Sequence, residues 1–94
     1  MSARTAPALA AIDKLLPQIA TLAATDQRDQ LQREADALRR AVAAFHIEAI
    51  RFRMYNVDRL IRAMDEGPHL GETFNEVRHE LEQAGFHTRS HAAP

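Results

Sequence analysis

Apolar residues recur at intervals of three and four along most of the chain, which is the spacing of one face of an α-helix. In the first segment this stripe comprises Leu9, Ile12, Leu16, Ile19 and Ala23. It predicts a helix over residues 6–24, with Thr5 placed to cap its start. Pro17 lies inside this stripe and predicts a kink, because an internal proline removes a backbone hydrogen bond.

The polar run TDQRDQ, residues 25–30, follows the first helix. Thr25 is a suitable N-cap, and Asp26 and Asp29 suit the positive end of a helix dipole. A tight turn before a second helix is the favoured interpretation. The run contains neither Gly nor Pro, so a continuous helix through it stays open as an alternative.

The central segment predicts one long helix over residues 26–66, roughly 60 Å in length at 1.5 Å per residue. It carries two stripes with alternating spacings of four and three, which lie about 100° apart on the helix. The first is Leu31, Ala35, Leu38, Val42, Phe45, Ala49 and Phe52, and the second is Ala43, Ile47, Ile50, Met54, Val57, Ile61 and Met64. Gly67 and Pro68 predict its end.

A third helix is predicted over residues 70–84, with a single apolar stripe. Gly85 and Phe86 match a Schellman stop, in which Phe86 folds back on the last turn. The remaining residues, 87–94, show no periodicity and are expected to form a flexible tail. The sequence therefore predicts one all-α domain over residues 1–86, in which two short helices pack antiparallel on a long one.

Two stripes on one helix require more partners than a short third helix provides. A soluble monomer rarely leaves so many Ile, Met and Phe side chains exposed. We therefore expect a homodimer or higher oligomer, in which the long helices form a helical bundle or a coiled-coil-like pair. A monomeric three-helix bundle, with the first helix reaching further along the long one, is the alternative.

Three polar residues, His46, Arg53 and Asn56, fall within the apolar arc of the long helix. A buried Arg needs a partner, and folding about Gly67 places Arg53 near Glu80 or Glu82. The charges agree: residues 39–62 contain six Arg against Glu48 and Asp58, and residues 67–84 contain four Glu against Arg78. The predicted oligomer seam comprises His46, Ile47, Ile50, Arg53, Met54, Asn56, Val57 and Ile61.

Composition narrows the classes of function. The chain has 94 residues, no cysteine and a formal net charge of −1, so disulfides, thiolate metal sites and a global attraction to DNA or anionic lipid are not expected. No apolar run reaches the roughly 18 residues of a membrane span. Asp13 interrupts the apolar N-terminal stretch, which argues against a signal peptide. A cytoplasmic protein without cofactor or membrane partner is expected.

The sequence contains only weak motifs for catalysis, metal binding or nucleic-acid binding. Glu76 and His79 form one E-x-x-H step, whereas helical di-iron sites use two such steps and two further carboxylates. A basic run with aromatic residues is compatible with contacts to nucleic acid phosphates: Arg51, Arg53, Arg59 and Arg62 with Phe52 and Tyr55. The near-zero net charge and the facing glutamates argue against it. We therefore predict a non-enzymatic homo-oligomeric interaction or scaffolding module, whose partner is a second copy or another protein. A nucleic-acid-binding regulatory protein and a helical metal-binding protein are the alternatives.

Overall fold

The structure is a computed structural model that describes residues 4–64 and 67–86. Within these ranges the chain forms four α-helices and no strand. They are α1 (Ala6–Ala20), α2 (Asp26–Ala43), α3 (Ile47–Ala63) and α4 (Gly67–Gln83). The all-α prediction is confirmed, whereas the division into a single domain stays a prediction and the tail at 87–94 lies outside the described residues.

The first connection has the predicted chemistry. Helix α1 continues through Pro17 and ends at Ala20, four residues before the predicted end. A turn follows, and the Thr25 hydroxyl then accepts a hydrogen bond from the backbone N–H of Arg28 at 3.1 Å. Asp26 and Asp29 lie in the first turn of α2, where they complement the helix dipole. The turn is confirmed, and a helix continuous from α1 into α2 is excluded.

The prediction of one long helix over residues 26–66 is wrong, because the chain reverses at residues 44–46. Phe45 adopts the left-handed conformation, with φ of 63°. Its N–H donates to the carbonyl of Val42 at 3.1 Å, and the N–H of His46 donates to that of Ala41 at 3.0 Å. These two bonds define a Schellman motif. A phenylalanine occupies the position where glycine is usual, at a steric cost of roughly 1–2 kcal/mol.

The same motif ends α4, as the sequence predicts. Gly85 has φ of 97°, and its N–H donates to the carbonyl of Glu82 at 3.0 Å. The N–H of Phe86 donates to the carbonyl of Leu81 at 2.9 Å, and the Phe86 ring is buried against the core. Glycine adopts this backbone conformation without the steric cost that Phe45 bears.

The four helices form a closed ring in which each packs against its neighbours in the chain and α1 packs against α4. Lys14 of α1 pairs with Glu76 of α4 at 2.8 Å, and Arg4 at the start of α1 bonds to Ala84 beyond the end of α4. These contacts show that α1 and α4 run antiparallel. The resulting molecule is flat, with extents of 33 × 32 × 19 Å.

The core draws one apolar stripe from each helix. Its largest fully buried side chains include Ile12, Leu15, Ile19, Leu31, Leu38, Val42, Ile50, Met54, Val57, Leu70, Val77 and Leu81. The reversal at Phe45 turns the stripe of α3 towards that of α2, so both are buried within one chain. The two stripes therefore do not by themselves require a second chain.

An aromatic cluster secures the reversal. The Phe45 ring meets the Phe86 ring edge to face, with 5.0 Å between centroids. The Arg4 guanidinium lies 5.7 Å from the Phe45 ring centroid, and Arg4 Nε donates to the Ala84 carbonyl at 2.6 Å. The turn between α2 and α3 is thus attached to both ends of the described chain.

We predict that Phe45→Gly is more stable than Phe45→Ala by about 1 kcal/mol. Both variants lose the ring, but glycine adopts the left-handed conformation without a Cβ clash. In a continuous helix the order would reverse, because glycine is about 1 kcal/mol worse than alanine in a helix interior. Urea unfolding of the two variants measures the difference, and greater stability of the alanine variant would contradict the hairpin.

Candidate functional site

Large apolar side chains are exposed in one region of the described surface. They are Phe45, Ile47, Phe52 and Tyr55, with exposed fractions of 39%, 49%, 57% and 46%. All four belong to α3 or to the turn before it. The outer side of α4, by contrast, is polar, with His69, Glu72, Asn75, His79 and Gln83 exposed. Helix α3 is therefore the element whose surface differs most from ordinary solvated helix.

The exposed residues of α3 are ordered as well as concentrated. Glu48, Phe52, Tyr55 and Arg59 are all exposed and follow each other at spacings of four, three and four. At 100° per residue they fall within an arc of about 60°. We call this stripe the outer face of α3. It carries an acid at one end, two aromatic rings in the middle and a base at the other end.

The two charged side chains at the ends of the outer face are exposed, although the charge of Arg59 also acts on Glu34. Neither Glu48 nor Arg59 forms an ion pair with another described residue, whereas Arg62, one turn further, pairs with Asp58 at 3.0 Å. Eleven residues separate Glu48 from Arg59, or about 16 Å along the helix axis. This separation is too long for the two side chains to pair with each other.

A partly buried polar network lies behind the outer face, between α3 and α2. Arg53 Nη1 donates to both carboxylate oxygens of Glu34, at 2.9 and 3.0 Å. Asn56 Nδ2 donates to Glu34 Oε1 at 3.0 Å. The Glu34 and Arg53 side chains are 19% and 34% exposed. Two residues of the predicted apolar arc thus share one carboxylate on the neighbouring helix.

The network decides the charge state of Glu34. Burial raises the pKa of this carboxyl, but the hydrogen bonds from Asn56 and Arg53, together with the positive charges of Arg53 and Arg59, outweigh burial. The resulting pKa lies below the ordinary value of 4.5. Glu34 is therefore ionised at neutral pH and holds Arg53 in place by a charge-assisted bond.

Arg53 also supports the outer face directly. Its guanidinium lies 5.1 Å from the centroid of the Phe52 ring, within the range of a cation–π interaction. Because Glu34 fixes the guanidinium, the exposed Phe52 ring has an ordered surface beneath it. The network thus links the packing of α2 on α3 to the shape that α3 presents outside.

The predicted seam residues separate into three environments. Ile50, Met54, Val57 and Ile61 are buried in the core of a single chain. Ile47 is exposed, and His46 is exposed at the N-cap of α3, where its side chain makes no capping bond. Arg53 and Asn56 are partly buried. The predicted seam is therefore an internal contact of α3, except at its first two residues.

The prediction that Arg53 pairs with Glu80 or Glu82 is wrong, because its partner is Glu34. That prediction assumed that the first reversal after Arg53 sets its neighbours. The reversal before it, at Phe45, instead brings α2 alongside α3. Between α3 and α4 the ion pair is the reverse of the predicted one: the Arg belongs to α4 and the acid to α3, with Arg78 at 3.7 Å from Asp58.

Glu34 is the residue that sequence reasoning missed. A signal for it exists, since it sits beside the apolar positions Leu31, Ala35 and Leu38, at the edge of their stripe. A carboxylate in that position needs a cationic partner from the neighbouring helix. The sequence points to the outer face only in part, because it groups Phe52, Tyr55 and Arg59 as phosphate contacts but also places Phe52 in an apolar stripe that the turn at Phe45 interrupts.

Other features of the described surface offer less chemistry. A cleft of about 530 Å³ between the end of α1 and the start of α4 is lined by Gln18, Thr21, Leu22, His69 and Leu70. His69 is the one histidine among these described lining residues, and no aspartate or glutamate lines the cleft with it. Among the described residues, no group of three or more His, Asp or Glu is placed to hold a metal ion.

The described helices also lack a membrane-spanning segment, since none combines the length and the apolar composition that crossing a bilayer requires. Comparisons of the chain with models of protein families, with curated proteins and with solved structures give no match.

We predict that Arg53→Met and Glu34→Gln each destabilise the fold by about 1–2 kcal/mol. Each change leaves a partly buried group without its charged partner. The double variant should be less destabilised than the two single changes added together, with a coupling of about 1 kcal/mol. Urea unfolding measures this cycle, and Arg53→Met combined with Glu80→Gln serves as the control, for which we expect no coupling.

The contacts of Glu34 with Arg53 and Asn56 should also make the stability of the fold depend on pH in the acid range. The pKa of Glu34 is lowered on folding, so its contribution to stability is complete above the ordinary value of 4.5 and is lost as the pH falls through the lower folded value. Between about pH 6 and pH 3, the wild type should therefore lose more stability than Glu34→Gln. Urea midpoints at each pH measure the difference.

Asp13→Asn is the control for this experiment. Its hydrogen bond from Arg39 lowers the pKa of Asp13 as well, but the pair lies on the exposed seam between α1 and α2. This variant should keep the acid-dependent loss that comes from Glu34. Parallel pH profiles of the wild type and Glu34→Gln would contradict the assigned role of Glu34.

Proposed function

We propose that the protein is a non-enzymatic helical interaction module that self-associates through the outer face of α3. One observation carries the proposal: among the described residues, the large exposed apolar side chains all lie between residues 45 and 55, and two of them, Phe52 and Tyr55, share the outer face. Single exposed apolar residues are ordinary on a protein surface, but neighbouring large ones mark a site of interaction. The remaining apolar stripes of the described helices are used in the core.

The chemistry of this face favours a protein partner. Aromatic residues and Arg are enriched at protein–protein interfaces, where rings supply contact area and guanidinium groups supply directed bonds. Phe52 and Tyr55 supply the rings, and Arg59 supplies a guanidinium beside them. Glu48 adds a charge of opposite sign at the other end of the stripe, which suits a partner of mixed charge.

The same residues make nucleic acid the second candidate, since rings beside Arg stack on bases and contact phosphates. The structure gives this candidate less support. Of the four Arg residues on α3, Arg53 is bound to Glu34 and Arg62 is paired with Asp58, whereas Arg51 and Arg59 form no ion pair with a described residue. Within the outer face, Arg59 is balanced by Glu48. A stripe with no net charge attracts a polyanion poorly.

We predict that the wild type forms a dimer or larger assembly and that Phe52→Gln/Tyr55→Gln does not. Light scattering should give about twice the chain mass of 10.6 kDa or more for the wild type at high concentration. The double variant should give the monomer mass with unchanged helix content, because both side chains lie largely outside the core. Glutamine keeps a good helix propensity at both positions.

Glu72→Gln/His79→Gln on the outer side of α4 is the matched control, and its mass should equal that of the wild type. A wild type that stays monomeric up to about 1 mM, the range of weak complexes, would overturn the proposal. Salt-dependent binding of single-stranded DNA that is lost in Phe52→Gln/Tyr55→Gln would favour the second candidate instead.

A further inference from the structure

We infer that α3 pairs with α3 of a second copy in antiparallel orientation, about a twofold axis that passes between residues 53 and 54. This inference rests on the proposed function and names its partner and geometry. It follows from the order of chemical types along the outer face, which reads acid, ring, ring, base. Such an order complements itself when one copy is reversed.

A single register satisfies both kinds of contact. Phe52 and Tyr55 lie on either side of the axis, so Phe52 of each copy faces Tyr55 of the other copy. Glu48 lies four residues before Phe52, and Arg59 lies four residues after Tyr55. Glu48 of each copy therefore faces Arg59 of the other copy. Each contact occurs twice, as an isologous interface requires. The central rings exclude water, and the charged pairs lie at the two rims.

Parallel pairing lacks this complementarity. With the two helices in parallel register, Glu48 would face the partner's Glu48, and Arg59 would face the partner's Arg59. Like charges across an interface are unfavourable and select against that arrangement. The antiparallel arrangement replaces two repulsive contacts with two attractive ones and keeps the rings together.

The interface is small. Aromatic side chains bury roughly 150–250 Å² each when fully covered, and the four central rings are already about half covered within their own chains. The total area therefore falls near or below the roughly 1,200 Å² that stable complexes need. We expect a dimer that forms at high micromolar concentration, and the ordered support of Phe52 by Arg53 reduces the entropy lost on pairing.

Disulfide trapping tests the register, because the natural sequence contains no cysteine. Glu48→Cys and Arg59→Cys are prepared separately, then oxidised alone and as an equimolar mixture. In the antiparallel pair the two sulfur atoms of the mixture meet, and a covalent heterodimer accumulates. Each variant alone forms no disulfide-linked dimer, since the cysteines of the two copies then lie about 16 Å apart along the axis, beyond the reach of a disulfide.

The controls separate the register from the proposed function. Glu72→Cys, on the outer side of α4, should form no disulfide dimer alone or with either partner variant. Disulfide dimers of Glu48→Cys or Arg59→Cys alone, or no heterodimer when light scattering shows a wild-type dimer, would overturn the register and leave self-association standing. A wild type that is monomeric throughout would overturn both.

Charge reversal gives an independent measurement. Glu48→Arg and Arg59→Glu should each weaken self-association about tenfold, because symmetry repeats every contact and exposed pairs contribute modestly. The double variant Glu48→Arg/Arg59→Glu restores opposite charges at both rims and should return to the wild-type dissociation constant within about twofold. A double variant that is weaker than both single variants would contradict the pairing.

Discussion

The left-handed backbone at Phe45 divides what would be a helix of about 57 Å into an antiparallel pair. A residue with a side chain enters this conformation at a steric cost, and the surrounding contacts offset that cost. The Phe45 ring rests against Phe86, and Arg4 lies over it while binding the Ala84 carbonyl. The closed ring of helices, the contact of Arg53 with Glu34 and the exposure of the outer face of α3 all follow from this reversal.

The reversal changes which apolar residues are internal. In α2 the stripe of Leu31, Leu38 and Val42 is buried, but its continuation in the same spacing reaches Phe45 and Phe52, which are exposed. The core is completed instead by Ile50, Met54 and Val57. The change of phase at Phe45 thus places two aromatic rings, which would lie inside a continuous helix, on the outside of a hairpin. One ring of the surface proposed for self-association, that of Phe52, therefore follows a core spacing.

The helical class, the turn at Thr25 and the stop at Gly85 could be predicted because local chemistry determines them. Thr25 offers a capping hydroxyl, and Gly85 is the residue that best tolerates a positive φ. The break at Phe45 could not be predicted in this way, because Ala44, Phe45 and His46 contain no turn former. Its signal is non-local: the apolar phase changes between Val42 and Ile50. The contact of Glu34 with Arg53 depends on that break. It could therefore not be predicted without the break.

The packing of α1 on α4 has a consequence for the entropy of the chain. The Glu34–Arg53 contact closes a segment of 19 residues, whereas the contacts of Lys14 with Glu76 and of Arg4 with Ala84 close segments of 62 and 80 residues. Loop-closure entropy grows with the logarithm of length, so the longest closure costs about 1.3 kcal/mol more than the shortest. The exposed Lys14–Glu76 pair offsets little of this. The buried side chains between α1 and α4 must therefore hold the two ends of the chain together.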